Sequence, residues 1–229
     1  MEAATVIDRR RLKRQLTFWR LVSMIVLIML SVVTGTTLFT KDTKYVARLT
    51  LEGFIVEDHL REERVRQIAK DGNALALIVR VNSPGGTTTG AEGLFHALRN
   101  VAAKKPVVAV IGTIGASGGY ISALAADHII ARETSMTGSI GVLMQSGEIT
   151  GLMDKLGIKT QTIKSSPVKG TPSPIEPMSK ETRVAFELLI EDGYNWFKDL
   201  VKTRRSLTDT EVEIVADGRV FSGRQALKL

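Results

Sequence analysis

The sequence predicts an α/β fold with a mainly parallel sheet. The first observation is that short apolar stretches alternate with stretches of helical spacing after residue 44, which favours parallel strands joined by right-handed crossovers. The second is that residues 74–81 form a nearly continuous apolar run, as expected of a strand covered on both faces. The third is size: 229 residues, 44% of them hydrophobic, suffice for one globular domain with a substantial core plus a short appendage.

The elements are predicted in order from the spacing of the apolar residues. The predicted strands are 45–51, 74–81, 107–111, 128–131 and 158–163. The predicted helices are about 58–70, from residue 87 to about 104, 120–126, 149–156, 179–205 and 208–216. A loop rich in Ser, Pro and Lys is predicted at 164–177.

The N-terminal residues predict a membrane anchor. Residues 1–20 contain six basic side chains against two acidic ones, and residues 21–39 contain no charge. The 22 residues from 18 to 39 are enough to cross the hydrocarbon core of a bilayer. A cleavable secretory signal is the competing interpretation, but the run is long and lacks a convincing Ala-x-Ala cleavage site.

These features predict how the chain is organised about a membrane. We expect a cytoplasmic basic segment at 1–17, a transmembrane signal anchor at 18–39 and a linker at 40–44. Because positively charged flanks stay in the cytoplasm, residues 45–229 are expected to be exported as one domain.

Composition excludes several classes of protein. The net charge is +7, but most of the excess lies in the first 20 residues, which indicates a membrane flank and argues against a nucleic-acid-binding surface. The chain contains no cysteine, which excludes a thiol nucleophile, a disulfide scaffold and a thiolate metal site.

Ser117 is the first candidate for chemistry. It lies in Gly115-Ala116-Ser117-Gly118-Gly119, between an apolar strand and a helix of small residues. Such a turn lets a hydroxyl stand clear and lets backbone amides approach a substrate carbonyl, as in a nucleophile beside an oxyanion hole. An ordinary Gly/Ser turn is the alternative, and the pattern alone leaves both open.

A serine nucleophile needs a base, and the chain offers three histidines and two well-placed lysines. His59, His96 and His128 are interpreted as surface or structural residues, and an α/β-hydrolase triad cannot be assembled because His128 alone follows the serine. A lysine base must be neutral, so its ordinary pKa of about 10.4 must fall through burial. By spacing alone, Lys164 and Lys169 read as surface lysines.

Five segments, in this order and at these separations, resemble the signal peptide peptidase A family (protease IV, peptidase family S49). They are Arg80-Val81-Asn82-Ser83-Pro84-Gly85-Gly86, Gly115-Ala116-Ser117-Gly118-Gly119-Tyr120, Ala126-Asp127, Thr137-Gly138-Ser139-Ile140-Gly141-Val142 and Asp217-Gly218-Arg219-Val220-Phe221-Ser222-Gly223-Arg224-Gln225-Ala226. The resemblance covers nearly all of residues 45–229 and implies a fold similar to those of Clp protease and crotonase.

The resemblance also assigns roles. It implies a Ser–Lys dyad with Ser117 as nucleophile and Lys169 as base, whereas Lys164 matches a non-catalytic strand end. Ser139 matches a serine that orients the lysine, with a simple turn hydroxyl as the alternative. Gly85, Gly86 and Gly118 match the segments whose backbone amides receive the oxyanion, with tight turns as the alternative. No metal or organic cofactor is implied.

Three departures from the family pattern are visible. Ile121 replaces a second aromatic residue, Pro167 precedes the lysine without an aromatic neighbour, and the sequence stops at Leu229 where the family continues. The last departure indicates either a truncated C-terminal end, which we favour, or a minimal member of the family.

The function implied is a membrane-anchored serine endopeptidase that degrades released signal peptides and other exported proteins. It would be a ring-like homo-oligomer, single-pass in the cytoplasmic (inner) membrane, with its N-terminus cytoplasmic and its catalytic domain on the periplasmic or extracellular side. The alternatives are an inactive membrane scaffold of the same fold and a crotonase-like acyl-CoA enzyme. The second would need an acidic base and a soluble location.

Overall fold

The structure is a computed structural model that describes the backbone of residues 2–38 and 43–229 and the side chains of residues 11–32 and 43–229. The chain divides into two compact units, Met1–Lys44 and Tyr45–Leu229. In the first unit, helix α1 spans Glu2–Leu38, and its segment Arg11–Val32 is long and apolar enough to cross a membrane. The predicted apolar helix is therefore confirmed, although a signal sequence has the same character. The predicted anchor end at residue 39 and linker residues 40–42 lie outside the described residues.

The second unit is built on four parallel strands that lie side by side in chain order. They are β1 (Tyr45–Ile55), β2 (Ala74–Gly86), β3 (Val107–Ala116) and β4 (His128–Ala131). Helices connect successive strands: α2 (His59–Ile68), α3 (Thr88–Ala102) and α4 (Gly118–Leu124). The predicted mainly parallel α/β fold is confirmed. Strands β2 and β3 run five residues beyond their predicted ends, because register shifts near residues 82 and 112–114 let the pairing continue through glycine-rich sequence.

The sheet is covered on one face. Cross-strand rows such as Ala47–Leu77–Val107 and Leu51–Val81–Ile111 are buried against the helices. Over the middle of the sheet, residues of the opposite parity are exposed or half-buried; Ile78 and Arg80 are exposed. The expectation that residues 74–81 are covered on both faces is therefore wrong, since an apolar run does not by itself require a second layer.

A small extension completes the sheet beside the end of β3. Strand β5 (Met136–Gly138) pairs with β3 in parallel, and strand β6 (Val220–Ser222) pairs antiparallel with β5. The short helix α8 (Gly223–Ala226) follows β6. The periodicity did not predict these three elements, because three or four residues are too few to show a period.

Between β5 and β6 the regular elements are helices. They are α5 (Thr150–Lys155), α6 (Lys180–Arg205) and α7 (Asp209–Val215), close to the predicted ranges. The strand predicted at 158–163 is wrong: these residues form no strand, and the Ile163 side chain is 93% exposed. Alternating residues alone do not make a strand when no neighbouring strand offers backbone partners.

Candidate active site

Ser117 occupies the sharp turn between β3 and α4 in a strained backbone conformation. Its φ is 50° and its ψ is −121°, a positive-φ conformation that side chains other than glycine rarely adopt. Such strain costs about 1–3 kcal/mol and persists where surrounding contacts fix it. Two backbone bonds do so: the Ser117 amide donates to the Gly138 carbonyl at 2.9 Å, and the Ser117 carbonyl accepts from the Ile121 amide at 2.9 Å.

The Ser117 hydroxyl is free of the capping role that its position would normally give it. Serine at a helix N-cap usually accepts a hydrogen bond from the first turn, as Ser179 and Thr208 do for α6 and α7. Ser117 is the N-cap of α4 but makes no such bond, and its side chain is partly exposed. The hydroxyl therefore remains available for chemistry.

Gly85, Gly86 and Gly118 lie close together beside Ser117, and a side chain on any of them would crowd its neighbours. A Cβ added to Gly85, whose φ is 140°, would lie 3.0 Å from the Ser117 Cβ and 3.3 Å from its Oγ. A Cβ added to Gly118 would lie 3.0 Å from the Gly86 amide nitrogen. The structure thus gathers these three backbones beside Ser117. Gly118 also opens α4, where an N–H group has no intrahelical acceptor.

Ser139 lies next to the residue that holds the serine turn. It follows Gly138, and its own φ is 50°. Its amide donates to the Arg219 carbonyl at 2.8 Å, which ties this turn to the segment before β6. Within the described residues the Ser139 hydroxyl makes no hydrogen bond, so, like the Ser117 hydroxyl, it is available for one.

Two arginines hold the far end of α4. Arg204 on α6 donates from Nε to the Leu124 carbonyl at 2.8 Å and from Nη2 to the Ala126 carbonyl at 2.9 Å. Arg99 on α3 donates to the Ala125 carbonyl at 3.0 Å. These carbonyls end the helix and lack intrahelical partners, so both guanidiniums satisfy them. Burial, with a smaller contribution from the Arg99 charge, lowers the pKa of Arg204 from its ordinary value.

The predicted base does not meet the serine within the described chain. Lys169 lies in a turn of the 164–177 loop, where its amide donates to the Ser166 carbonyl at 3.2 Å. Its side chain is exposed, and no hydrogen bond or ion pair joins its amine to Ser117, Ser139 or any other described residue.

The Lys164 side chain is engaged in an ion pair with another residue of the same loop. Its amine forms an ion pair with the Glu176 carboxylate, and its side chain is only 16% exposed. The hydrogen bond from Lys164, followed by one from Thr162, lowers the pKa of Glu176 from its ordinary value. Because this amine contacts Glu176 and makes no hydrogen bond to Ser117 within the described residues, the geometry argues against Lys164 as the base.

The three histidines are exposed. His59 faces Glu57 at 3.5 Å and His96 faces Glu92 at 3.9 Å, both on the surface. His128 is exposed at the start of β4. None hydrogen-bonds to Ser117 within the described residues.

Sequence reasoning missed two residues that position the site. The buried Ser83 hydroxyl donates to the Gly85 carbonyl at 3.1 Å and accepts from the Gly85 amide at 3.2 Å, which fixes the glycine turn. Gly138 supplies the carbonyl that holds Ser117. The available signal for Ser83 was its place directly before Pro84-Gly85-Gly86, where a short hydroxyl side chain often bonds to a turn.

One apolar cavity of the described chain reaches Gly138 but not Ser117. It measures about 360 Å³ and is lined mainly by apolar residues, among them Ile129, Val215 and Phe221. Tyr120 also lines it; burial raises the pKa of this phenol, and the charge of Arg205 acts in the opposite direction. Ser117 is absent from the lining, so we do not assign this cavity to the reacting peptide bond.

Comparison with known proteins decides the family. Residues 99–229, more than half of the chain, match the model of peptidase family S49. The chain belongs to this family. The family resemblance inferred from the five motifs is thereby confirmed. Ser117, Ser139 and Lys169 lie inside the matched range, whereas Gly85 and Gly86 lie before it.

Two relatives show the extent of the likeness. A protein of Synechocystis sp. named as a protease is 34% identical over 191 residues, covering 83% of this chain and 69% of that protein. The chloroplastic serine protease SPPA of Arabidopsis thaliana is 32% identical over 167 residues, covering 72% of this chain and 24% of that protein. The chain thus spans about a quarter of the plant protein's length.

A solved structure shares the fold. A mutant of the 1510-N membrane-bound stomatin-specific protease superposes with a TM-score of 0.51 at 18% sequence identity, covering 81% of this chain and 76% of that one. With the mainly parallel sheet described above, this likeness confirms the predicted Clp protease-like fold.

Proposed function

We propose that this S49 family member is a serine endopeptidase that uses Ser117 as nucleophile and Lys169 as general base. The observation that carries the proposal is the Ser117 hydroxyl, left uncapped in a strained turn beside Gly85, Gly86 and Gly118. A conformation that costs stability and leaves a hydroxyl free supports a reacting role.

The proposed reaction proceeds through an acyl-enzyme. The neutral Lys169 amine accepts the Ser117 proton while the serine oxygen bonds to the peptide carbonyl carbon. The amides of Gly86 and Gly118 donate to the oxygen as it becomes negative. The protonated amine then gives its proton to the leaving nitrogen as the C–N bond breaks, and water hydrolyses the ester in the same way. Ser139 is proposed to orient the lysine.

We further propose a setting for this activity. Residues 18–39 would anchor the chain in the cytoplasmic membrane with residues 1–17 inside and 45–229 outside, which the apolar segment Arg11–Val32 supports. The family resemblance suggests released signal peptides as substrates and a homo-oligomeric assembly. In this proposal neither a metal nor an organic cofactor takes part.

One observation favours a second candidate, an inactive membrane scaffold of the same fold. The Lys169 amine is exposed and contacts neither serine in the described chain. If nothing buries that amine in the working protein, Ser117 lacks a base.

Labelling with a fluorophosphonate probe separates the two candidates. We expect the full chain in detergent to react covalently at Ser117, and Ser117→Ala to abolish both labelling and cleavage of an apolar peptide. Ser122→Ala is the matched control, because its buried hydroxyl already bonds to the Gly118 carbonyl at 3.0 Å. Absence of labelling in the unsubstituted chain would favour the scaffold.

A further inference from the structure

One face of the parallel sheet lies open to solvent. Cross-strand register places two rows of four side chains on it, and we call these eight residues the open sheet face: Arg48, Ile78, Val108 and His128 in one row, and Thr50, Arg80, Val110 and Ile130 in the next. All eight are exposed or half-buried, whereas the opposite rows are buried. Parallel sheets are ordinarily covered on both faces, so this face is suited to a covering partner.

The chemistry of the open sheet face defines that partner. Its apolar part consists of Ile78, Val108, Val110 and Ile130. Within the described residues, the guanidiniums of Arg48 and Arg80 make no hydrogen bond or ion pair, and the acidic Glu52 lies two residues further along β1. A partner that fits would be apolar with carboxylates at its margin.

A surface of this description occurs on α6 of the same chain. Val184 and Leu188 are 54% and 61% exposed, and Glu191 follows at helical spacing on the same side. Neither Glu191 nor the adjacent Asp192 forms an ion pair within the described residues, whereas Glu187 pairs with Arg183. We call Val184, Leu188, Glu191 and Asp192 the outer α6 stripe.

We propose that the outer α6 stripe of one copy packs on the open sheet face of a second copy. A helix laid on a sheet is the usual way to bury a sheet face. Val184 and Leu188 would cover the apolar rows, and Glu191 and Asp192 would meet Arg48 and Arg80, which is the complementary arrangement of charge.

The two surfaces differ, so the contact is head-to-tail and repeats from copy to copy until a ring closes. This inference rests on the homo-oligomer included in the proposed function and names the surfaces that build it. It does not depend on catalysis, so the test uses the Ser117→Ala chain.

The absence of native cysteine allows a direct cross-linking test. Ile78→Cys and Leu188→Cys chains, each full length and carrying a different tag, are co-expressed and oxidised in detergent. We expect a disulfide-linked dimer that carries both tags. Leu60→Cys, also exposed at 68% but on α2, replaces Ile78→Cys as the control and should give little product. The proposal is overturned if the mixed dimer is missing or no more abundant than with the control.

A charge exchange tests the same contact at positions that are exposed and hence tolerant of substitution. Arg48→Glu with Arg80→Glu on the Ile78→Cys chain should lower the yield of mixed dimer about tenfold, because carboxylates would then face carboxylates. Adding Glu191→Arg and Asp192→Arg to the Leu188→Cys chain should restore the yield. An unchanged yield after the first exchange, or no recovery after the second, contradicts the assigned pairing.

Discussion

Ser117 and Lys169, the two residues proposed to react together, lie in regions that are built in opposite ways. Ser117 sits where a buried strand meets a buried helix, and its own backbone is held by Gly138 and Ile121. Lys169 sits on a loop without strands or helices, and its side chain is exposed.

This difference shows that the fold of one chain positions the nucleophile of the proposed site but does not position its base. The nucleophile and its neighbouring amides follow from sheet geometry, since three backbones come so close that only glycine fits. The base needs shielding from water to lose its proton, and the described chain supplies none at Lys169. The proposal therefore requires the loop to move or another molecule to cover it.

The largest effect should distinguish the two lysines of this loop. Lys169→Ala should lower kcat for peptide cleavage roughly 100- to 10,000-fold, the range expected when a general base is removed. Lys164→Ala, which breaks only the ion pair with Glu176, should lower it less than about tenfold. Steady-state kinetics with an apolar peptide measure both. Equal losses in the two variants would remove the distinction between these lysines.

In the region of Ser117, Gly86→Ala should destabilise the fold. Its new Cβ would lie 1.9 Å from the Ile55 carbonyl oxygen, which requires two paired strands to separate. We expect a loss of about 3 kcal/mol or more in the free energy of unfolding, measured by thermal or denaturant unfolding. Gly72→Ala, with nothing within 4 Å of the new Cβ, is the control. A Gly86→Ala chain as stable as this control would show that the glycine turn is not rigid.

A smaller effect is expected at the opposite end of α4. Arg204→Met removes the donors to the Leu124 and Ala126 carbonyls, which should cost about 1–3 kcal/mol of stability. Arg205→Met provides the comparison, because the exposed Arg205 makes no hydrogen bond within the described residues. The two unfolding midpoints should differ clearly; coinciding midpoints would mean that these carbonyls find other partners.

The smallest predicted effect is a pH dependence of the ion pair between Lys164 and Glu176. Because pairing with Lys164 lowers the pKa of Glu176, the pair stabilises the loop above the ordinary carboxyl pKa. That contribution is lost as pH falls through the lowered value. Lys164→Gln should raise the Glu176 titration midpoint observed by NMR toward its ordinary range. A midpoint that stays in place would assign the shift to Thr162 alone.

The sequence predicts the framework well for a physical reason. Strands β1 to β3 and helices α2, α3, α4 and α6 contribute buried residues to the core, and burial imposes the apolar spacing by which they were recognised. The strand predicted at 158–163 is wrong because these residues are exposed, so no burial constrains their spacing. Strands β5 and β6 were missed because each is only three residues long, too short to show a period. Likewise the open sheet face was not foreseen, because its apolar residues read like buried ones.

The candidate site likewise contains a part that local sequence predicts and a part that it does not. Glycine-rich turns are visible in a sequence, and Ser117 with Gly85, Gly86 and Gly118 indeed lie together in the structure. The partner of an exposed side chain leaves no local pattern, so the role of Lys169 rests on family resemblance. The domain boundaries and the membrane orientation likewise stay predictions.

Restoring an amine at position 169 tests the central claim most directly. Lys169→Cys creates a single thiol in a cysteine-free chain, and 2-bromoethylamine converts it to a lysine-like side chain. We predict that Lys169→Cys cleaves peptide at the rate of Lys169→Ala, that alkylation restores most of the activity, and that the same treatment of Lys164→Cys changes little. Full activity in unmodified Lys169→Cys, or no recovery after alkylation, would contradict a lysine base at this position.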